Sequence, residues 1–260
     1  MRLSRLHDIT RTLALTALCA SAGAVRTASA QAADAPKKNL EVSGNAGFAQ
    51  TNGNANALTT NFGNKLKYTL KGWALGQDLA FFYGEAENKV NANFWNGGLR
   101  AERTLTPRLG LFVATRFDRN VLQGIASRFE EGFGLDAKLI VAPKDKLNMQ
   151  VGGSMFQVKL TPGSTTEGKR HFPAARVGLD YKHSFSELAF FQQTAEYLPN
   201  LSESGVYLVN TESAVVAPLS KRLGLKFGYL VRYNSTPPER NGVVLKKTDT
   251  FFSSGLTFSY

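Results

Sequence analysis

Cysteine is almost missing from this 260-residue chain: Cys19 is the single copy. It falls inside the hydrophobic leader described below, and Leu18 before it is too large for a lipoprotein cleavage site. The exported chain is therefore read as cysteine-free, which excludes disulfides and thiolate metal sites. Histidine is scarce as well, with His171 and His183 the only copies beyond the leader. Asp and Asn never fall in a calcium-loop spacing, and no phosphate-cradling glycine motif occurs. No cofactor, no metal and no catalytic residues are expected. Long apolar runs are missing too: mean hydropathy is -0.20, and the one run, residues 12–25, is too short for a spanning helix. A bundle of membrane helices is excluded.

What is abundant is aromatic and glycine residues, with 18 Phe and 24 Gly and no convincing helical periodicity. That composition suggests an all-β protein. The net charge of +11 would suit a nucleic-acid partner. Its positive residues, however, are scattered singly along strands and join no nucleic-acid motif, so no nucleic acid is expected. Part of the charge belongs to the N-terminus. Arg2, Arg5 and Arg11 precede the apolar run, and Ala28-Ser29-Ala30 follows it. This is the layout of a cleaved secretory signal peptide over residues 1–30. Residues 31–37 are small and polar and read as a disordered lead-in. One domain, residues 38–260, follows.

That domain alternates strand-length segments with turn chemistry. Strands are expected at 38–51, 55–70, 73–86, 92–105, 108–119, 126–141, 146–160, 171–184, 187–198, 204–217, 221–234 and 247–260. Their length suits tilted membrane strands, which need about 9–11 residues in the hydrocarbon. Asn52-Gly53-Asn54 makes the first hairpin turn. After it, short connections (71–72, 106–107, 143–145, 185–186, 218–220) alternate with longer ones (87–91, 120–125, 162–169, 199–203, 235–246). Short turns on one side and long loops on the other is the asymmetry of outer-membrane barrels, with the short turns periplasmic. A soluble sandwich has no reason to sort its loops. The expected fold is an antiparallel transmembrane β-barrel of about twelve strands in the bacterial outer membrane.

The last strand carries a second signal. Phe252, Leu256, Phe258 and Tyr260 share one face; Ser253, Gly255, Thr257 and Ser259 share the other. A membrane barrel must close its last strand on its first, so that no backbone edge faces lipid. Ser253, Gly255, Phe258 and Tyr260 also resemble the C-terminal signal read by the barrel assembly machinery, polar-x-Gly-x-x-apolar-x-aromatic. That resemblance implies the machinery as a partner during biogenesis, and outer-membrane lipid as the partner afterwards.

Alternation elsewhere assigns two faces. In 126–141, Phe129, Phe133 and Leu135 oppose Arg128, Glu130 and Asp136; in 221–234, Phe227, Tyr229 and Val231 oppose Lys226 and Arg232. With apolar faces toward lipid, the lumen-lining candidates are Arg100, Glu102, Arg116, Asp118, Arg128, Glu130, Asp136, Lys138, Arg176, Asp180, Lys182, Glu196, Glu212, Lys226 and Arg232. The signs nearly balance. Cross-strand pairing between neighbours, such as Arg100 and Glu102 with Arg116 and Asp118, would brace a narrow closed barrel. The same charges, kept hydrated, would line a selective channel for a small polar solute or ion. Trp73, Tyr181, Tyr197, Tyr207, Tyr233 and Tyr260 fall near strand ends, where interfacial aromatics belong.

A lipid hydrolase would need a Ser–His pair near the outer leaflet. His171 with Ser164 is the only pair on the right side, and no oxyanion-hole pattern accompanies it. The chain is therefore read as non-enzymatic.

With the strands laid out, several stretches carry a resemblance. They are residues 47–54, Phe82-Tyr83-Gly84-Glu85, Thr106-Pro107-Arg108-Leu109, Arg116-Phe117-Asp118-Arg119, Tyr197-Leu198-Pro199-Asn200, residues 233–238 and Lys247-Thr248-Asp249-Thr250. In this order the chain resembles the salt-induced outer-membrane proteins, a family of bacterial barrels. The resemblance implies an outer-membrane barrel of unassigned molecular function; the family's name suggests regulation by salt without establishing transport, and the resemblance supplies no catalytic residues.

The closing strand generates one test. Tyr260→Ala is expected to lower the outer-membrane fraction of heat-modifiable protein without altering the barrels that do assemble. Fractionation followed by semi-native gels reads this, and unchanged assembly would contradict the assignment.

Overall fold

The computed structural model describes residues 39–51, 57–166 and 170–259, apart from the side chains of 49–51, 57 and 259. The signal peptide, the lead-in, Lys38, the Asn52-Gly53-Asn54 turn and Tyr260 lie outside the described residues.

Twelve antiparallel strands close into a barrel. They are β1 (Leu40–Thr51), β2 (Ala57–Leu70), β3 (Trp73–Ala86), β4 (Lys89–Thr106), β5 (Leu109–Asn120), β6 (Ile125–Val141), β7 (Asp145–Leu160), β8 (His171–Ser184), β9 (Phe190–Pro199), β10 (Tyr207–Pro218), β11 (Leu223–Asn234) and β12 (Thr248–Ser259). Each pairs with its sequence neighbours, and β1 pairs with β12. A single 3₁₀ turn, Val121–Gln123, is the only helical element among the described residues; Asn120 caps it by accepting from the Gln123 N–H at 3.3 Å. Three two-residue strands, Ser164–Thr165, Glu239–Arg240 and Val243–Val244, form a small separate sheet from the two longest loops.

Two expectations about connections need correction. The long loop expected at 87–91 is a two-residue hairpin, with Glu87 at φ 50° and Asn88 at φ 58°. Two consecutive left-handed residues make the hairpin turn that fits strand twist. The strand-poor Lys89 and Asn91 disguised the start of β4. The turn expected at 185–186 extends to Ala189, because Ser186 Oγ accepts from the Ala189 N–H at 3.0 Å and delays β9 to Phe190.

The strand period sorts the residues. Leu99, Val113, Phe133 and Phe252 stand outward and are 59, 59, 67 and 61 % exposed. So large an apolar exterior costs heavily in water and matches a bilayer. On the outside toward the long-loop end, rings form ladders: Trp95–Phe117–Phe129 at 4.5 and 4.8 Å, and Tyr197–Tyr207–Tyr233 at 5.5 and 5.6 Å. Trp73 and Tyr181 occupy the short-turn end. Polar residues interrupt the apolar face in places, Glu131 and Gln157 among them, and one group pairs with itself. Gln193 donates to Thr211 Oγ1 at 2.7 Å and accepts from Ser213, so its amide is satisfied without water.

Among the described residues the seam is the shortest pairing in the barrel. β1 and β12 match over four residue pairs, Ser43↔Ser259 to Ala46↔Leu256. The next shortest neighbour pairing, β8 with β9, has eight. Small residues permit the approach, among them Gly47, where a Cβ would lie 1.9 Å from the Ser254 carbonyl oxygen. Gly44 lies under the Phe258 ring, which a Cβ would meet at 2.5 Å, and a Cβ on Gly255 would lie 2.3 Å from the Ala46 carbonyl oxygen. Because backbone cannot yield as a flexible side chain can, Gly255→Val is expected to block closure. The heat-modifiable band should disappear from semi-native gels, with Gly228→Ala at a lumen position as a milder comparison. A fully folded Gly255→Val barrel would overturn this account of the seam.

Candidate functional site: the lumen

The inward faces bring charged side chains from distant strands into contact. Arg176 on β8 stands at the centre. Its guanidinium bonds both Glu130 on β6 and Glu196 on β9, and its Nε donates to Ser154 Oγ at 3.3 Å. Ser154 in turn donates to Glu130 at 2.8 Å. Glu196 also receives Asn210 at 3.1 Å and Arg116 of β5 at 3.6 Å. Asp118 forms a second node. Arg128 approaches it through two nitrogens at 2.8 and 3.3 Å, and Arg232 of β11 lies 3.6 Å away. A third node is Arg100, which reaches Glu102 at 3.3 Å, Asp136 at 3.2 Å and Gln150 at 3.3 Å, with its guanidinium 3.9 Å from the Phe112 ring centroid. Lys226 and Glu212 pair at 3.3 Å. Asp180 accepts from Gln192 at 3.0 and 3.1 Å, and Lys182 lies 3.9 Å over Phe190. Lys138 is exposed where β6 bulges. Lys138, Asp180 and Lys182 join no ion pair among the described residues.

The pairing is not the expected one. Arg100 and Glu102 do not meet Arg116 and Asp118, because the register places Gly98 opposite Arg116 and Asn96 opposite Asp118. With small or neutral partners alongside, Arg116 and Asp118 reach across the lumen to β9 and β11 instead. Buried carboxylates need several donors to offset lost hydration, and converging strands supply them.

A second interior component is apolar, and the polar reading of this face did not anticipate it. Phe82, Phe94 and Phe251 cluster with ring centroids 4.6–5.7 Å apart, and Arg232 lies 5.0 Å over Phe94. Phe156, Phe172, Ala174, Leu198 and Leu208 form another cluster. The signal was present in aromatic doublets. Phe81-Phe82, Phe94-Trp95 and Phe251-Phe252 must each send one ring inward, since adjacent strand residues face opposite sides. Toward the long-loop end this second cluster borders a small, partly open cavity of about 60 Å³, lined also by Ile125, Arg128 and Arg170.

The two histidines stand apart from this interior. His171 is exposed at the start of β8, while the Ser164 hydroxyl is buried and shares a hydrogen bond with Thr161 at 2.8 Å. His183 Nδ1 and Tyr181 Oη lie 2.8 and 2.7 Å from Asp145 Oδ1 at the short-turn end. On β12, Ser253 and Gly255 lie on the lumen side, Ser253 donating to the Gly228 carbonyl at 3.4 Å and Gly255 lying close against Ala46 at the seam, and Phe258 faces outward.

Residues 44–260 match the family described as "Protein of unknown function, DUF481". The chain belongs to this family. A search of curated proteins finds no match to the DUF481 chain. Among solved structures, it is similar to the translocator domain of autotransporter NalP from Neisseria meningitidis: 10% identity, 97% of this chain and 94% of that chain covered, TM-score 0.46. It is also similar to an anion-selective porin from Comamonas acidovorans, at 11% identity, 85% and 98% coverage and TM-score 0.39. A bacterial polysaccharide outer membrane secretin matches at 7% identity, 85% and 97% coverage and TM-score 0.41. These likenesses concern the barrel fold and carry no argument about what the DUF481 chain does.

The Arg176 node yields a stability test. Arg176→Met leaves Glu130 and Glu196 buried without their shared cation, which costs about 3–5 kcal/mol. Adding Glu130→Gln and Glu196→Gln should recover most of that loss. Urea unfolding of vesicle-inserted barrel, followed by Trp fluorescence, measures both. A triple variant no more stable than the single one would contradict the node.

Proposed function

We propose that this chain is an outer-membrane barrel forming a narrow passage for ions or small polar solutes, gated by its own lumenal ion pairs. The observation that carries this reading is that Arg116–Glu196 and Arg232–Asp118 join non-neighbouring strands across the lumen. Side chains that merely braced a wall would pair along it. The first of these pairs keeps contact with solvent, the Arg116 side chain being 41% exposed, whereas Arg232 and Asp118 are buried at 11 and 5%. Water and ions can therefore compete for Arg116–Glu196. Short turns lie toward the periplasm, lipid covers the apolar face, and the assembly machinery reads β12 during insertion. The reading is non-enzymatic.

Salt enters naturally. Screening shortens the reach of a charge from about 8 Å at physiological ionic strength to about 3 Å at 1 M. Salt then acts chiefly on Arg116–Glu196, the cross-lumen pair that solvent reaches, because buried pairs are screened much less. The competing reading is an envelope-integrity barrel with a permanently closed lumen, favoured by the two-nitrogen grip of Arg128 on Asp118.

Planar bilayers separate the two. The expected result is brief, small openings that lengthen as KCl rises from about 0.1 to 1 M, and longer openings at every salt concentration in Arg116→Gln/Glu196→Gln. If folded wild type and this double variant both stay silent, the passage is refuted in favour of the closed barrel.

A further inference from the structure

One side of the lumen carries surplus positive charge at its short-turn mouth. Lys138 on β6, Lys146 on β7 and Lys182 on β8 turn inward, since each keeps the strand period with a lumen residue: Asp136, Ser154 and Asp180 respectively. The register places Lys146 directly opposite Lys182. Lys138 stands opposite Asn148, the next inward residue of β7, and Asn148 faces Asp180 on its other side. Facing side chains on adjacent strands start about 4.5–5.5 Å apart, where like charges repel.

Other lumenal cations at this end have carboxylates. Lys226 pairs with Glu212 at 3.3 Å, and Arg100 with Glu102 and Asp136. Lys65 and Lys67 stand opposite Asp78 and Glu41. Among the described residues, Asp180 is the carboxylate on the lysines' part of the wall, and its two oxygens already accept from the Gln192 amide at 3.1 and 3.0 Å. Asp145 lies on the outer face, held by Tyr181 and His183. Three cations against one carboxylate leave two positive charges in place. Lys182 is half-buried, with its ammonium 3.9 Å over the Phe190 ring, while Lys138 and Lys146 are exposed.

Facing lysines cost stability unless an anion offsets them. We propose that Lys138, Lys146 and Lys182 hold a small oxyanion of the inorganic phosphate type at the short-turn mouth, with the Asn148 amide as a neutral donor between them. Lysine suits this task, because a compact charge on a flexible stem converges on a tetrahedral anion without needing a planar partner. These faces look into the lumen, so the ligand arrives from solution rather than as a lipid headgroup. Binding needs no conduction, and the site stands whether or not the ion-pair layer ever opens.

Inorganic phosphate titrated against the full-length, detergent-solubilised barrel tests this, with its phosphorus NMR line width followed in about 0.15 M KCl. Broadening should saturate in wild type. Lys146→Gln/Lys182→Gln should weaken binding about tenfold or more, as expected for two lost charge-assisted contacts. Lys138→Gln, outside the facing pair, should weaken it about threefold and serves if the double variant fails the heat-modifiable mobility check for folding. Lys71→Gln/Lys221→Gln removes two turn lysines at the same end and should change binding less than about twofold. The proposal is overturned if wild type shows no saturable broadening, or if binding survives unchanged in a folded variant of the lysine cluster. It is equally overturned if the turn variant loses as much as the cluster variant, since net charge alone would then account for the effect.

Discussion

In a bilayer an unpaired peptide group has no water to turn to, and every other feature of this barrel is arranged around that constraint. A strand can satisfy its backbone there only by pairing on both sides, so the sheet must close. Once it closes, the period of two leaves no freedom. Each residue faces either lipid or lumen, and a one-residue slip would exchange the two sets completely. Gly44 and Gly255 are small because the closing strands must come within hydrogen-bonding distance over residues that would otherwise keep them apart. The apolar exterior follows as the surface that closure presents to the hydrocarbon.

Closure with twelve strands also fixes the interior. The enclosed space is narrow enough for Arg116 on β5 to reach Glu196 on β9. At that diameter inward residues have to satisfy one another. The protein does so in two ways at once, with arginine–carboxylate nodes around Arg176, Asp118 and Arg100 and with aromatic clusters around Phe94 and Phe156. Where the two meet, guanidinium groups lie over rings, as Arg100 does over Phe112 and Arg232 over Phe94. Such contacts let a cation give up water at reduced cost.

The strands were legible in the sequence because alternation and turn residues are local signals. Phe129-Glu130, Leu135-Asp136 and Val231-Arg232 each announce a strand and its two faces. The Glu87-Asn88 turn was not legible, because two left-handed residues without glycine look like the beginning of a loop. Site partners were harder to read for a different reason. Which charges meet depends on register and curvature, and Arg116 faces Gly98 only because β4 bulges near its short-turn end. No local pattern records that. The apolar interior was readable in principle, since each Phe doublet obliges one ring to turn inward. A rule that reserves the lumen for polar residues conceals it.

The four-pair seam has a consequence for how the chain comes together. Every other neighbouring pair is a hairpin, formed between segments adjacent in sequence. Only β1 and β12 must find each other across nearly the whole chain, and bringing distant ends together carries the largest loop-closure cost. Among the described residues, the most expensive encounter is thus the one repaid with the fewest ladder pairs. A curled, eleven-hairpin sheet holds most of the pairing before its ends ever touch, so the circle is completed last and is the first connection to be lost.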